Sequence, residues 1–313
     1  MAIRHKKGIF FTFIAILLSS IIILSFVIHT EYRLRNRMFV IETRIETVND
    51  FVKDVETDLE RGLYISSFRA LLALGQYITE NGMFLDDLPS DFREALLYGT
   101  VNNTPVNVMQ GASFTDWTER IKTEAEKIGI VIDFSVGNIS IYHSSAWIVS
   151  AGVDISLNVR DVKETGSWER DKYIVTNIEI YGFEDPLYTI NSYGRIINTI
   201  RKTPVTDYID DTDTANLRLH SNNSYYTAST TAPSFLMRLE GNLSSSGYGI
   251  ESLVNLVEFN QQSIPTSERS VVDYIYFGTI TTANLPCADM PSWFKLDTDQ
   301  AHWTKYECNE YAQ

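Results

Sequence analysis

From Gly8 to Ile28 the chain runs through 21 residues without one charged side chain, in the stretch GIFFTFIAILLSSIIILSFVI. At 1.5 Å per residue a helix of that length spans about 31 Å, the thickness of a bilayer's hydrocarbon core. A secretory signal has a shorter apolar region and a small-x-small cleavage site, and SFVIHTEYR, which closes this run, contains no such site. The segment is therefore expected to stay in the protein and to cross a membrane once. Arg4, Lys6 and Lys7 precede it and Arg33, Arg35 and Arg37 follow it, so positive charge alone does not orient the span.

Two further features set the orientation. Cys287 and Cys308 are the only cysteines and can close a loop of about two dozen residues, a bridge that forms in an oxidising compartment. Asn-x-Ser/Thr sequons stand at Asn102, Asn138, Asn222 and Asn242, in stretches that read as turns or loops. Together they give the expectation of a body outside the cell membrane, as a glycoprotein, with residues 1–8 on the cytoplasmic side. The net charge of −14 excludes nucleic acid as a partner, because phosphate binding needs a concentrated basic surface.

Beyond the membrane the pattern becomes a stalk. Leu34, Met38, Ile41, Ile45, Val48, Val52, Val55 and Leu59 follow alternating steps of four and three, the seam of a coiled coil. Charged residues fill the other faces and no proline interrupts Gly8 to Leu88, so the spacing predicts a helix from the membrane to about Leu63. Either the protein's own domain or another copy can cover the stripe, since a stripe does not name its partner.

HKKG followed by IFFTFIAILL resembles the class III signal of type IV pilin-like proteins, in which a short basic leader ends in glycine and a membrane peptidase cuts before the apolar helix. The resemblance implies a cut between Gly8 and Ile9, a helix that packs with other filament subunits, and a disulfide loop near the carboxyl end. Bacterial pilins usually carry glutamate at the fifth mature position; here that position is Phe13, a departure more familiar among archaeal subunits. The match covers about the first 60 residues, and an uncut anchor is the competing reading.

The rest reads as an α+β body. Tyr64–Glu80 spaces its apolar residues as a helix, a short helix follows at Ser90–Tyr98, and Ser113 caps another that stops at Gly129. From Ile130 to Phe183 the period changes to two. Runs at 130–136, 139–145, 147–162 and 171–183, with turns at Val136-Gly137-Asn138 and Glu164-Thr165-Gly166, predict an antiparallel meander. Tyr188–Lys202 reads as an amphipathic helix, and Thr203–Ser234, rich in Thr, Ser, Asn and Asp, as a linker or surface loop. The expected organisation is thus a leader or tail at 1–8, a span at 9–28, a stalk at 29–63, an α+β domain at 64–202, the linker at 203–234, and a small α+β lobe at 235–313.

Chemistry is sparse. HExxH, CxxC, GxSxG and P-loop patterns are missing, and no catalytic constellation or cofactor is implied. In LDTDQAH, Asp297, Asp299 and His302 offer oxygen and nitrogen donors for a metal, and Asp211, Asp213 and Asn216 offer oxygens for calcium. The competing reading is that acidic loop residues of so acidic a chain are simply solvated. Tyr225, Tyr226, Trp293, Trp303 and Tyr306 offer either a contact patch or packing under the disulfide loop. The expected function is that of a membrane-anchored, pilin-like structural or adhesion protein whose partners are the lipid bilayer and other surface or filament subunits. The alternatives are a stalked dimeric ectodomain that binds an envelope partner and, behind it, a surface hydrolase.

Overall fold

The computed structural model describes residues 4–211 and 213–308, with side chains from Phe10 onward; the expected leader residues Met1–Ile3 lie outside the described residues. One helix, α1 (Arg4–Asn81), contains the apolar run, the stalk and the segment expected to be a separate helix after Leu63. Its 78 residues extend about 117 Å. It does not break at Leu63 because its buried face continues unbroken through Leu63, Ala70, Leu74 and Ile78. Gly62, a weak helix former, is required there by a close approach: a Cβ at this position would lie 2.7 Å from the Trp117 indole.

α2 (Leu88–Tyr98) and α3 (Phe114–Lys127) form the expected shoulder, separated by the short strands β1 (Thr100–Val101) and β2 (Thr104–Pro105) and a 3₁₀ turn at Asn107–Met109. Ser113 and Asp116 cap α3 reciprocally, each side chain accepting from the other's backbone N–H, and Gly129 follows its end in the left-handed region. The meander comprises β3 (Ile130–Ser145), β4 (Ile148–Asp161) and β5 (Ser167–Glu179), antiparallel and in the order β3-β4-β5. The turn expected at Val136-Gly137-Asn138 is instead a bulge inside β3, where pairing shifts register between Val136 and Ile139. Val149, Ala151, Val153, Ile155, Leu157 and Val159 of β4 alternate into the core beneath α1. On the same side of β5, Lys172 reaches Glu56 of α1 at 2.5 Å, tying sheet to helix.

The C-terminal half corrects two expectations. Helix α4 spans only Pro186–Asn191, not the length to Lys202. The Ser192 hydroxyl takes the backbone of Ile196, and Tyr193 and Gly194 adopt positive φ, so local turn chemistry overrides the apolar periodicity. Thr203–Ser234 is no loose linker, for it contains α5 (Ala215–Asn222) and β6 (Tyr226–Ala228), and Tyr208, Ile209, Leu217 and Tyr226 are buried. Then come α6 (Phe235–Leu239), β7 (Ile250–Ser252), α7 (Leu256–Gln261), α8 (Asp273–Tyr276), β8 (Asn284–Pro286), β9 (Lys295–Asp297) and α9 (His302–Lys305). β6 pairs with β7 and β8 with β9, both antiparallel.

Two apolar clusters result. One joins α1, the shoulder, the meander and α6; the other fills the C-terminal lobe. The lobe is docked: Leu85 N–H donates to the Leu239 carbonyl at 3.0 Å, Leu88 N–H to Glu240 at 3.1 Å, and Leu236 N–H to His143 at 3.3 Å.

Candidate functional site

The seam of α1 divides at Arg44. Val48, Val52, Val55 and Leu59 are buried by the protein's own head, whereas Leu34, Met38, Ile41 and Ile45, at least 40% exposed, have nothing over them. Of the two covers expected for the stripe, the protein's own domain covers the upper half. Arg44 marks the border by chemistry: its guanidinium donates to Asp161 at 2.8 Å and to the carbonyls of Ile128 and Gly129 at 2.8 and 3.0 Å. Hydrogen bonds from Arg44 and Thr165 hold the Asp161 carboxyl down at about 2. This collar fastens the end of β4 and the α3–β3 turn to the helix where it leaves the head. Below it, from Phe10 to Thr43, α1 is exposed throughout, and this part is long and apolar enough to cross a membrane. The Gly8–Ile9 bond lies in its backbone helix.

The C-terminal lobe holds a buried ionic core that sequence reading missed. Arg238 of α6 is fully buried and donates to Asp185 at 2.6 Å, to Asp273 at 2.9 Å and to the Ile250 carbonyl. Tyr226 also donates to Asp185, and the backbone N–H and hydroxyl of Ser252 donate to Asp273. Burial pushes the Asp273 carboxyl up against the opposing pull of Arg238. Burial alone would lower the Arg238 guanidinium, and the two aspartates outweigh it, so its pKa is raised. One signal existed in the sequence: Arg238 and Asp273 are lone charges inside the apolar runs FLMRL and VVDYIYF.

On the other side of β7, His302 lies between Asp297 at 2.8 Å and Glu251 at 3.1 Å, one carboxylate on each ring nitrogen. Burial would lower the imidazole, but these hydrogen bonds prevail and raise it to about 9. Glu251, also fully buried, accepts from Tyr306 and Lys305 and is drawn down to about 2, the burial penalty being outweighed by His302 and Lys305.

This geometry separates the three metal candidates, keeping Asp297 with His302 but not Asp299. An imidazolium with both N–H groups donated has no lone pair for a cation, and Asp299 is turned away, accepting from the Ala283 N–H at the surface. Among the described residues no group of three or more His, Cys, Asp or Glu is placed to hold a metal. Asp213 is similarly occupied with the Ala215 N–H, and Asn216 donates to the Asp207 carbonyl.

Cys287 and Cys308 are joined, with Cα atoms 5.1 Å apart. Of the aromatic set, Tyr226 and Tyr306 are buried, Trp293 and Trp303 are half-buried against the lobe's core, and Tyr225 lies under the Arg201 guanidinium at 5.4 Å. The asparagines of all four sequons, Asn102, Asn138, Asn222 and Asn242, are exposed. No protein-family model, curated protein or solved structure matches the chain.

Proposed function

We propose that this chain is a membrane-tethered surface protein of pilin-like build, whose α1 anchors and packs while the head and C-terminal lobe make contacts outside the cell membrane. The carrying observation is that the uncovered apolar third and the core-forming third of α1 are one unbroken helix, so a membrane span and the spine of a folded head are the same rigid element. The disulfide and the four exposed sequons support an external head. The work proposed is structural or adhesive, since the acid–base residues around His302 are closed into bonds with one another and Arg238 is locked between aspartates.

Intact-mass measurement or amino-terminal sequencing of the native protein tests the pilin-like part. A chain beginning at Ile9 supports the processing implied by HKKG and a filament pathway. One beginning at Met1 or Ala2 replaces it with a permanently anchored ectodomain.

A further inference from the structure

A cleft of about 360 Å³ opens on the C-terminal lobe, within the range of small-molecule sites, about 300–1,000 Å³. Thr230-Thr231, Leu243-Ser244-Ser245 and, from the turn after α8, Ile280 form its walls. The wall after α6 is fastened to the end of α1: Leu85 N–H donates to the Leu239 carbonyl at 3.0 Å, and a Cβ on Gly241 would lie 2.6 Å from the Phe84 ring. That end of α1, at Asn81, is about 80 Å along the helix from Ile28. One wall of the cleft is thus held at the membrane-distal end of the stalk.

The floor is fixed from below. The buried Tyr274 donates its hydroxyl to Gln300 Oε1 at 2.6 Å, and His302 Nε2 lies 3.3 Å from the same phenolic oxygen. His302 is itself gripped by Asp297 and Glu251, so the ion network that offers no free acid or base holds the phenol in place. Gln300 spends its Oε1 on Tyr274, which leaves its Nε2 to donate. On the walls, Thr230, Ser244 and Ser245 are exposed, and their hydroxyls take no protein partner among the described residues. Leu243, half-buried, and Ile280, 38% exposed, add apolar surface beside these polar groups. Donors and acceptors held in place before a ligand arrives lower the cost of binding.

The lining selects the class of ligand. The chain is 21% charged, yet among the described residues that line the cleft none is charged. Without lysine or arginine it has nothing to pair an anion, and without a carboxylate nothing to hold a metal ion or an amine. Hydroxyls and one amide set among two aliphatic side chains match a neutral ligand that is itself rich in hydroxyls and has one apolar face. We infer that the cleft is a carbohydrate site: the hydroxyls of a neutral sugar bond Thr230, Ser244, Ser245 and Gln300, and its C–H face rests on Leu243 and Ile280. Two sources present this chemistry, a foreign glycan and a glycan carried on Asn242, whose sequon Asn242-Leu243-Ser244 runs into the wall. The inference rests on the external-head reading above and deepens its adhesive part.

The test applies the full chain, extracted in mild detergent and displayed multivalently, to an array of neutral and anionic oligosaccharides. Neutral glycans should be retained, and EDTA should not release them, because no carboxylate lines the cleft. Ser245→Trp, which fills the cleft, and Thr230→Ala combined with Ser245→Ala should each weaken retention at least tenfold. Binding by the wild type identifies a foreign glycan as the source; binding that appears only in Asn242→Gln identifies the chain's own glycan as the occupant. Asn242, Thr230 and Ser245 are exposed, and unchanged near-UV circular dichroism checks the fold. Retention of no neutral glycan by either the wild type or Asn242→Gln, retention of anionic glycans alone, or binding that Ser245→Trp leaves intact overturns the inference. A cytoplasmic head would show in the labelling of intact cells, and that result defeats the external reading without altering the outcome on the array.

Discussion

Replacing Leu59 and Ile41 separately by alanine puts numbers on the division of the seam. Leu59 is fully buried under the meander and shoulder, so Leu59→Ala removes a core side chain and leaves a cavity, at about 2–5 kcal/mol. Ile41 is 45% exposed below the collar, and Ile41→Ala falls within about 0.5 kcal/mol. For a head of this size each kcal/mol moves the midpoint by roughly 2–4 °C, so a 3 kcal/mol loss lowers it by roughly 6–12 °C for Leu59→Ala and by about 2 °C or less for Ile41→Ala. Tryptophan fluorescence of the full chain in detergent reads the transition, because Trp117 packs directly on Gly62 of α1 and Trp147 and Trp168 border the same core. Equal shifts for the two variants would refute the reasoning, since the stripe would then have one environment along its whole length.

Further predictions concern the lobe. His302 has a raised pKa, so its contribution is complete below its ordinary 6.5 and is lost as pH rises through about 9. Glu251 is depressed, so its contribution is present above its ordinary 4.5 and lost as pH falls through about 2. The lobe's thermal midpoint should therefore fall between pH 6.5 and 9, and His302→Gln should flatten that limb. Arg238→Met leaves Asp185 and Asp273 buried without their cation and should cost about 3–5 kcal/mol, measured by urea unfolding at pH 7. Reducing the Cys287–Cys308 bridge, whose partners are 21 residues apart, should lower lobe stability by about 3 kcal/mol; an unchanged midpoint in reductant contradicts this.

What could be read in the sequence was whatever repeats locally. The seam of α1, the Ser113–Asp116 cap and the alternation of β4 each follow from residues within a few positions of one another, and each is present as expected. Thr203–Ser234 misled because its Ser, Thr and Asn content is a local turn signal, whereas its burial depends on distant partners: Tyr226 on Asp185 and Tyr208 N–H on Glu307. The ionic core escaped for the same reason, since Asp185, Arg238 and Asp273 are dispersed along the chain and meet only after α4, α6 and α8 have packed. The end of the head at Arg44 was equally hidden, because it depends on where Asp161 and Gly129 fall in three dimensions.

The side of the membrane on which the head resides is the most direct measurement. Lys53 and Lys127 have side chains 66 and 62% exposed. An amine-reactive reagent that cannot cross membranes, applied to intact cells producing the full chain and followed by peptide mass analysis, should label both. Labelling of Lys53 and Lys127 only after the cells are lysed would contradict an external head carried on a transmembrane stalk.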